Sequence, residues 1–135
     1  MSGVAIIRKL LVDYAPVTNL VPAARVLAGQ VPQGTALPAI GVSEISVYEI
    51  PTIARRTAGK TNRTRVQVTV LAKSYVEMKN ILKACALGPG VHTGDVLGYS
   101  VKAVTQEGIG PEIPAGDDQI LEQSRDFMVT FSEPN

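Results

Sequence analysis

The chain has no tryptophan, one cysteine and one histidine, and its aromatic content is 4%. A lone Cys85 forbids an internal disulfide and a cysteine-based zinc site, and a lone His92 forbids a paired-histidine metal site. So few aromatics leave little platform for stacking nucleobases. Charge of one sign is also missing. Thirteen Lys and Arg against twelve Asp and Glu give a formal net charge of +1, so any polyanion would have to be met by a local patch. Long apolar runs are absent too. The run Val4-Ala-Ile-Ile7 is far short of a membrane span, and no basic segment with a long apolar stretch marks export. No membrane, metal or cofactor is expected, and the chain is expected to be made and to work in solution, first in a cytoplasm.

What remains is 135 residues that are 45% hydrophobic and 19% charged, enough for one domain over 1–135 with its own core. Val4, Ile7, Leu11 and Tyr14 recur at helical spacing over residues 3–14, with Ser2 as N-cap and Pro16 as terminator. After a short turn, Arg25-Val-Leu-Ala28 reads as a brief strand and residues 31–38 as turn chemistry. Residues 39–50 read as a long strand whose apolar parity switches from Ile40/Val42 to Ile45/Val47. One extra residue flips side-chain alternation, so a bulge is expected near Ser43-Glu44.

Beyond a loop from Pro51 to about residue 61, Val66, Val68 and Val70 alternate with Arg65, Gln67 and Thr69 in the pattern of a half-buried strand. Ser74-Tyr-Val-Glu77 has capping-box spacing and opens a helix to about Leu87, with Val76, Ile81, Leu82 and Cys85 inward and Gly88-Pro89 as the stop. Residues 101–106 and 126–131 complete the strands, the last with Phe127, Val129 and Phe131 on one side. This order predicts an α+β domain: a mainly antiparallel sheet of four to five strands, two helices packed on one face, and long charged loops.

Chemical motifs fail on their own terms. Gly59-Lys60-Thr61 ends like a phosphate loop, but the first glycine of that motif would stand where Ala54 is, and a strand follows instead of a helix. Cys85 falls on an inward helical face, Ser74 is spent as a cap, and His92 sits in a Gly-rich turn with no carboxylate placed to orient it. No enzyme is expected.

Two segments of opposite sign stand out. The 51–65 stretch carries Arg55, Arg56, Lys60, Arg63 and Arg65 and no acid, while the 107–122 stretch carries Glu107, Glu112, Asp117, Asp118 and Glu122 and no base. They are either solvated loops or the two halves of a head-to-tail contact between copies, which closes into a ring where the rotation permits.

Several landmarks then align: Ala15-Pro-Val-Thr-Asn-Leu-Val21, Arg25-Val-Leu-Ala-Gly29, Val31-Pro-Gln-Gly-Thr-Ala-Leu-Pro-Ala-Ile40, and residues 65–79 running from Arg-Val-Gln-Val-Thr-Val into Ser-Tyr-Val-Glu-Met-Lys. Over residues 4–88 the chain resembles the tail completion proteins of long-tailed bacteriophages, which include tail terminators and tail-to-head joining proteins. The resemblance implies a small α+β subunit, located in the virion, that forms a homo-oligomeric six-membered ring on the last ring of tail-tube protein. That ring ends tube polymerisation and offers a docking surface to the head connector or head-closure protein. DNA would pass through the lumen without being read. No catalytic residues come with the family. A neck adaptor at the same junction is the neighbouring alternative, and a small nucleic-acid-binding accessory protein is the alternative from a different class.

Overall fold

The computed structural model describes residues 2–32, 36–50, 61–86, 93–114 and 120–132. Among the described residues, three α-helices, α1 (Ser2–Asp13), α2 (Ala15–Thr18) and α3 (Tyr75–Ala84), accompany seven strands. These are β1 (Val26–Ala28), β2 (Ala39–Ile50), β3 (Thr61–Ala72), β4 (Gly94–Val96), β5 (Tyr99–Ile109), β6 (Ile113–Pro114) and β7 (Leu121–Ser132). The sheet order is β1-β2-β3-β7-β5-β4, with β6 pairing β7. β1 lies parallel to β2, and every other pair is antiparallel. The α+β expectation holds. The five strands legible in the sequence are joined by two very short ones, β4 and β6.

The alternation in β3 becomes geometry. Val66, Val68 and Val70 are fully buried beneath the helices, and Val66 and Thr64 lie opposite Phe127 and Val129 of β7. α1 supplies Val4, Ile6, Ile7 and Leu11 to the same core, and α3 supplies Met78, Ile81, Leu82 and Cys85. Each fully buried Ile, Leu or Phe contributes about 1.5–3 kcal/mol of transfer free energy, so this single layer interface is the main source of stability. Close approach shapes it as well. A Cβ on Gly3 would sit 2.8 Å from Thr64 Cγ2, so the first turn of α1 rests directly on β3.

Three details differ from expectation. Helix α1 begins at Ser2 itself, so Ser2 is a helical residue and not the cap. Pro16, after α1 has ended at Asp13, lies in the first turn of α2, where a missing N–H costs nothing. In α3 the inward residue is Met78, while Val76 is 66% exposed. Met78 shares a helical face with Ile81, Leu82 and Cys85, whereas Val76 lies half a turn from it. The Ser74 cap is present, its hydroxyl accepting from the Glu77 N–H at 3.5 Å. The Gly88-Pro89 stop and His92 lie outside the described residues.

Candidate assembly surfaces

The bulge expected in β2 is there: the register with β3 shifts between Glu44 and Ser46. Beyond it Val47 lies opposite Thr64, on the helix-bearing side, yet stays half exposed. Ile45 and Tyr48 are exposed as well, so the far half of β2 carries three large apolar side chains in solvent. β1 pairs only with Ile40–Val42. Among the described residues, no strand pairs with that side of β2 from Ile45 to Ile50. β4 likewise covers only Tyr99–Val101 of β5, leaving Lys102–Ile109 without a described neighbour opposite β7. Sequence reasoning missed both edges. The parity switch in β2 was the one signal available.

The face of the sheet away from the helices is polar. Thr61 and Ser132 hydroxyls meet at 3.2 Å, and those of Thr69 and Ser124 at 3.1 Å. Arg65 grips Asp126 with Nη2 at 2.9 Å and Nε at 3.0 Å. A cavity of about 370 Å³ opens between the Gly29–Val31 connection and this face, with Ser43, Gln67, Thr69 and Glu122 among its lining. Among the described residues, Glu122 is the only ionisable side chain lining it. The connection lies close: a Cβ on Gly41 would stand 2.8 Å from the Gly29 carbonyl oxygen.

The charged residues singled out from the sequence fall in several settings. Arg55, Arg56 and Lys60 lie in 51–60 and Asp117 and Asp118 in 115–119, outside the described residues. Arg63 is exposed on β3, while Arg65 is already paired within the chain. The 107–122 stretch is not one loop, because β5 runs to Ile109 and β7 starts at Leu121. Pairing with β7 draws Gln106-Glu107-Gly108-Ile109 into the sheet in spite of weak strand propensity. Glu107 is therefore an exposed strand residue and Glu122 a half-buried one.

Glu112 is pinned to α3. It accepts from Lys79 Nζ at 3.0 Å and from the Tyr75 hydroxyl at 2.9 Å. Lys79 also donates to Gln123 Oε1 at 2.6 Å, and Gln123 Nε2 donates to the Gly110 carbonyl at 2.8 Å. The hydrogen bond from Lys79, then that from Tyr75, holds the Glu112 carboxyl below its usual range, and the Glu112 contact raises Lys79 in turn. Cys85 is buried, and desolvation pushes its thiol up to about 12. That suits an inert core residue and not a nucleophile. Among the described residues, no three His, Cys, Asp or Glu side chains cluster as a metal site.

Topology also separates the two charged segments. Ile50 pairs with Thr61 at one end of β3, flanking the basic segment, and Ala72 pairs with Leu121 at the other, flanking the acidic one. Twelve residues of β3 put those ends about 36 Å apart.

Comparison with known proteins gives a consistent picture. No curated protein matches in sequence. A solved structure described as the virion of a native gene transfer agent (GTA) particle contains a chain of the same fold, with a TM-score of 0.65 at 13% identity. The match covers 96% of this chain and 94% of that one. Residues 4–86, from α1 through the end of α3, match the family model described as Tail completion protein gp17. The chain therefore belongs to the tail completion protein family, a group of structural components of the phage virion.

Proposed function

We propose that the protein caps the head-proximal end of the tail tube as a ring of six copies, ends tube polymerisation and presents the docking surface for the head connector. The observation that carries this reading is the polarity of the subunit. One end of the sheet leads into the Arg55/Arg56/Lys60 segment, and the opposite end holds Glu112 and Glu122 and leads into Asp117 and Asp118. A collar between two different partners needs two different ends, and these are set apart by the whole length of β3. The opposed charges then serve contacts above and below the ring. DNA passes through the lumen, met by basic side chains without base readout.

The test uses purified full-length protein added to polymerising tail-tube protein. Arrest of elongation, with the protein found at one tube end, is the expected result. Arg55→Glu/Arg56→Glu/Lys60→Glu is expected to abolish one of the two activities, tube arrest or connector docking, and to spare the other. Connector binding without any arrest would identify a neck adaptor instead, and salt-sensitive retention on DNA alone would identify a nucleic-acid accessory protein.

A further inference from the structure

We infer that the cavity between the Gly29–Val31 connection and the polar face of the sheet is a socket for an arginine side chain presented by a protein partner. This rests on the reading above, in which a protein seats on each end of the subunit, and names a contact at one of those ends. Along β3 and β7 this face satisfies polar groups in pairs across strands: Thr61 with Ser132, Arg65 with Asp126 and Thr69 with Ser124. At the cavity the pattern breaks. Ser43 lies opposite Gln67 and Glu122 opposite Leu71, and all three polar residues are half-buried. Among the described residues, the side chains of Ser43, Gln67 and Glu122 make no hydrogen bond or ion pair. Glu122 has no partner in its own register, because Leu71 carries no polar group.

The chemistry of the lining selects the guest. Its one ionisable side chain among the described residues is a carboxylate, so the guest that gains most is a cation. A volume of about 370 Å³ is more than ten times the roughly 30 Å³ share of a water molecule and falls in the range of small-ligand sites. A bare metal ion is a poor fit to that space. Nor do three His, Cys, Asp or Glu side chains cluster to hold one among the described residues. The polar groups are also spread out. Gln67 lies four residues from Leu71 along β3, which sets Ser43 and Gln67 about 13 Å from the level of Glu122. An elongated guest suits this spacing: a charged head at Glu122, an apolar stem over Leu71 and Ile45, and a polar backbone toward Gln67 and Ser43. Arginine fits better than lysine. Its planar fork gives a carboxylate two parallel N–H···O bonds and keeps three N–H groups for neighbours, and it is less strongly hydrated, so a half-buried site costs it less. The source is a protein, because Leu71 is one residue from the Ala72 end of β3 and the socket therefore lies at an end of the sheet where a partner seats.

Titration of the full chain with N-acetyl-arginine methylamide, followed by amide NMR, gives the first test, with the neutral citrulline analogue and the lysine analogue as controls. Amides of 29–31, 41–45, 67–71 and 122 should shift saturably with the arginine probe. The dissociation constant should be on the order of millimolar, the range of a ligand this small. The citrulline probe should leave these amides in place, and the lysine probe should bind at least about threefold more weakly. Glu122→Gln should weaken the arginine probe by at least about tenfold at an unchanged melting midpoint. Should that variant melt early, Gln67→Met, expected to weaken the probe by at least about threefold, replaces it. The second test offers Glu122→Gln protein to tail tubes and, separately, to the connector. Binding to one of the two should weaken by at least about tenfold and binding to the other should not change. No shift with arginine, equal shifts with citrulline or lysine, or wild-type affinity of Glu122→Gln for both partners would overturn the inference and leave tube capping intact. Failure of the wild-type chain to arrest tubes, with connector binding still lost in Glu122→Gln, would sink the capping role and leave the socket standing.

Discussion

Gly41 gives the sharpest check on the packing of β1 and its exit. It pairs with Leu27 on one side and Thr69 on the other, and its missing side chain faces the Gly29–Val31 connection. In Gly41→Ala the new methyl would stand 2.8 Å from the Gly29 carbonyl oxygen, 3.1 Å from Val31 Cγ2 and 3.5 Å from Val31 N. The nearest obstacle is backbone, held by the Gly29 N–H donating to the Val42 carbonyl at 2.7 Å. Relief requires the connection to lift by roughly half an ångström. Overpacking of this kind costs about 1–3 kcal/mol, and reduced freedom of the unfolded chain returns about 0.4–1 kcal/mol, which leaves a net loss of about 1–2 kcal/mol. With a urea slope of about 2 kcal/mol/M, the unfolding midpoint should fall by about 0.5–1 M. Gly108→Ala is the control, because its Cβ would meet nothing within 4 Å. It should be neutral or stabilising by up to about 1 kcal/mol. A Gly41→Ala midpoint equal to wild type, with slope unchanged, would refute the close seating of the connection on the sheet.

Four further outcomes follow from the core. Phe131→Ala should cost about 3–5 kcal/mol in urea unfolding, since the ring is 1% exposed and meets Tyr99 edge-on at 5.6 Å. A Tyr99→Leu/Phe131→Leu cycle should recover about 0.5–1.5 kcal/mol of coupling. Cys85 should resist a thiol reagent at pH 8 until denaturant is added. Its folded-state value is raised, so its contribution is complete below the ordinary thiol range and is lost as pH climbs from about 9 toward about 12, which a pH series of unfolding midpoints would detect. Arg125 is buried, donates to Gln106 Oε1 and has no described partner for Nε, so Arg125→Met should leave stability within about 1 kcal/mol of wild type or above it, as read by thermal melting.

The elements that were legible in sequence are those whose pattern matches their own burial. The Val66-Val68-Val70 alternation, the Phe127-Val129-Phe131 alternation and the Ser74 cap each report a local requirement. The β2 bulge was legible because its parity switch is also local. Val76 and Met78 were exchanged because two apolar residues two apart leave the helical phase open until the sheet is in place. The length of β5 was missed because its outer half is held by β7 and not by its own propensity. Charges were legible, but their partners were not: Arg65 and Asp126 are 61 residues apart, and Tyr75 and Glu112 are 37 apart. An open edge was beyond reach for the same reason, since it is a property of strand order and no residue type marks it.

The position of β7 has a consequence in time. The last described strand is a central strand of the sheet, and its pairing with β3 joins residues as far apart as Thr61 and Ser132, 71 positions along the sequence. During synthesis β3 must therefore wait, one side unsatisfied, until β7 has left the ribosome. The segment matched by the family model ends at residue 86, before any of β7 exists. A nascent chain of that length holds the helices and half a sheet with its central ladder missing. Closure by such distant contacts is slow, on the order of milliseconds to seconds, so the sheet is completed only after β7 has been made.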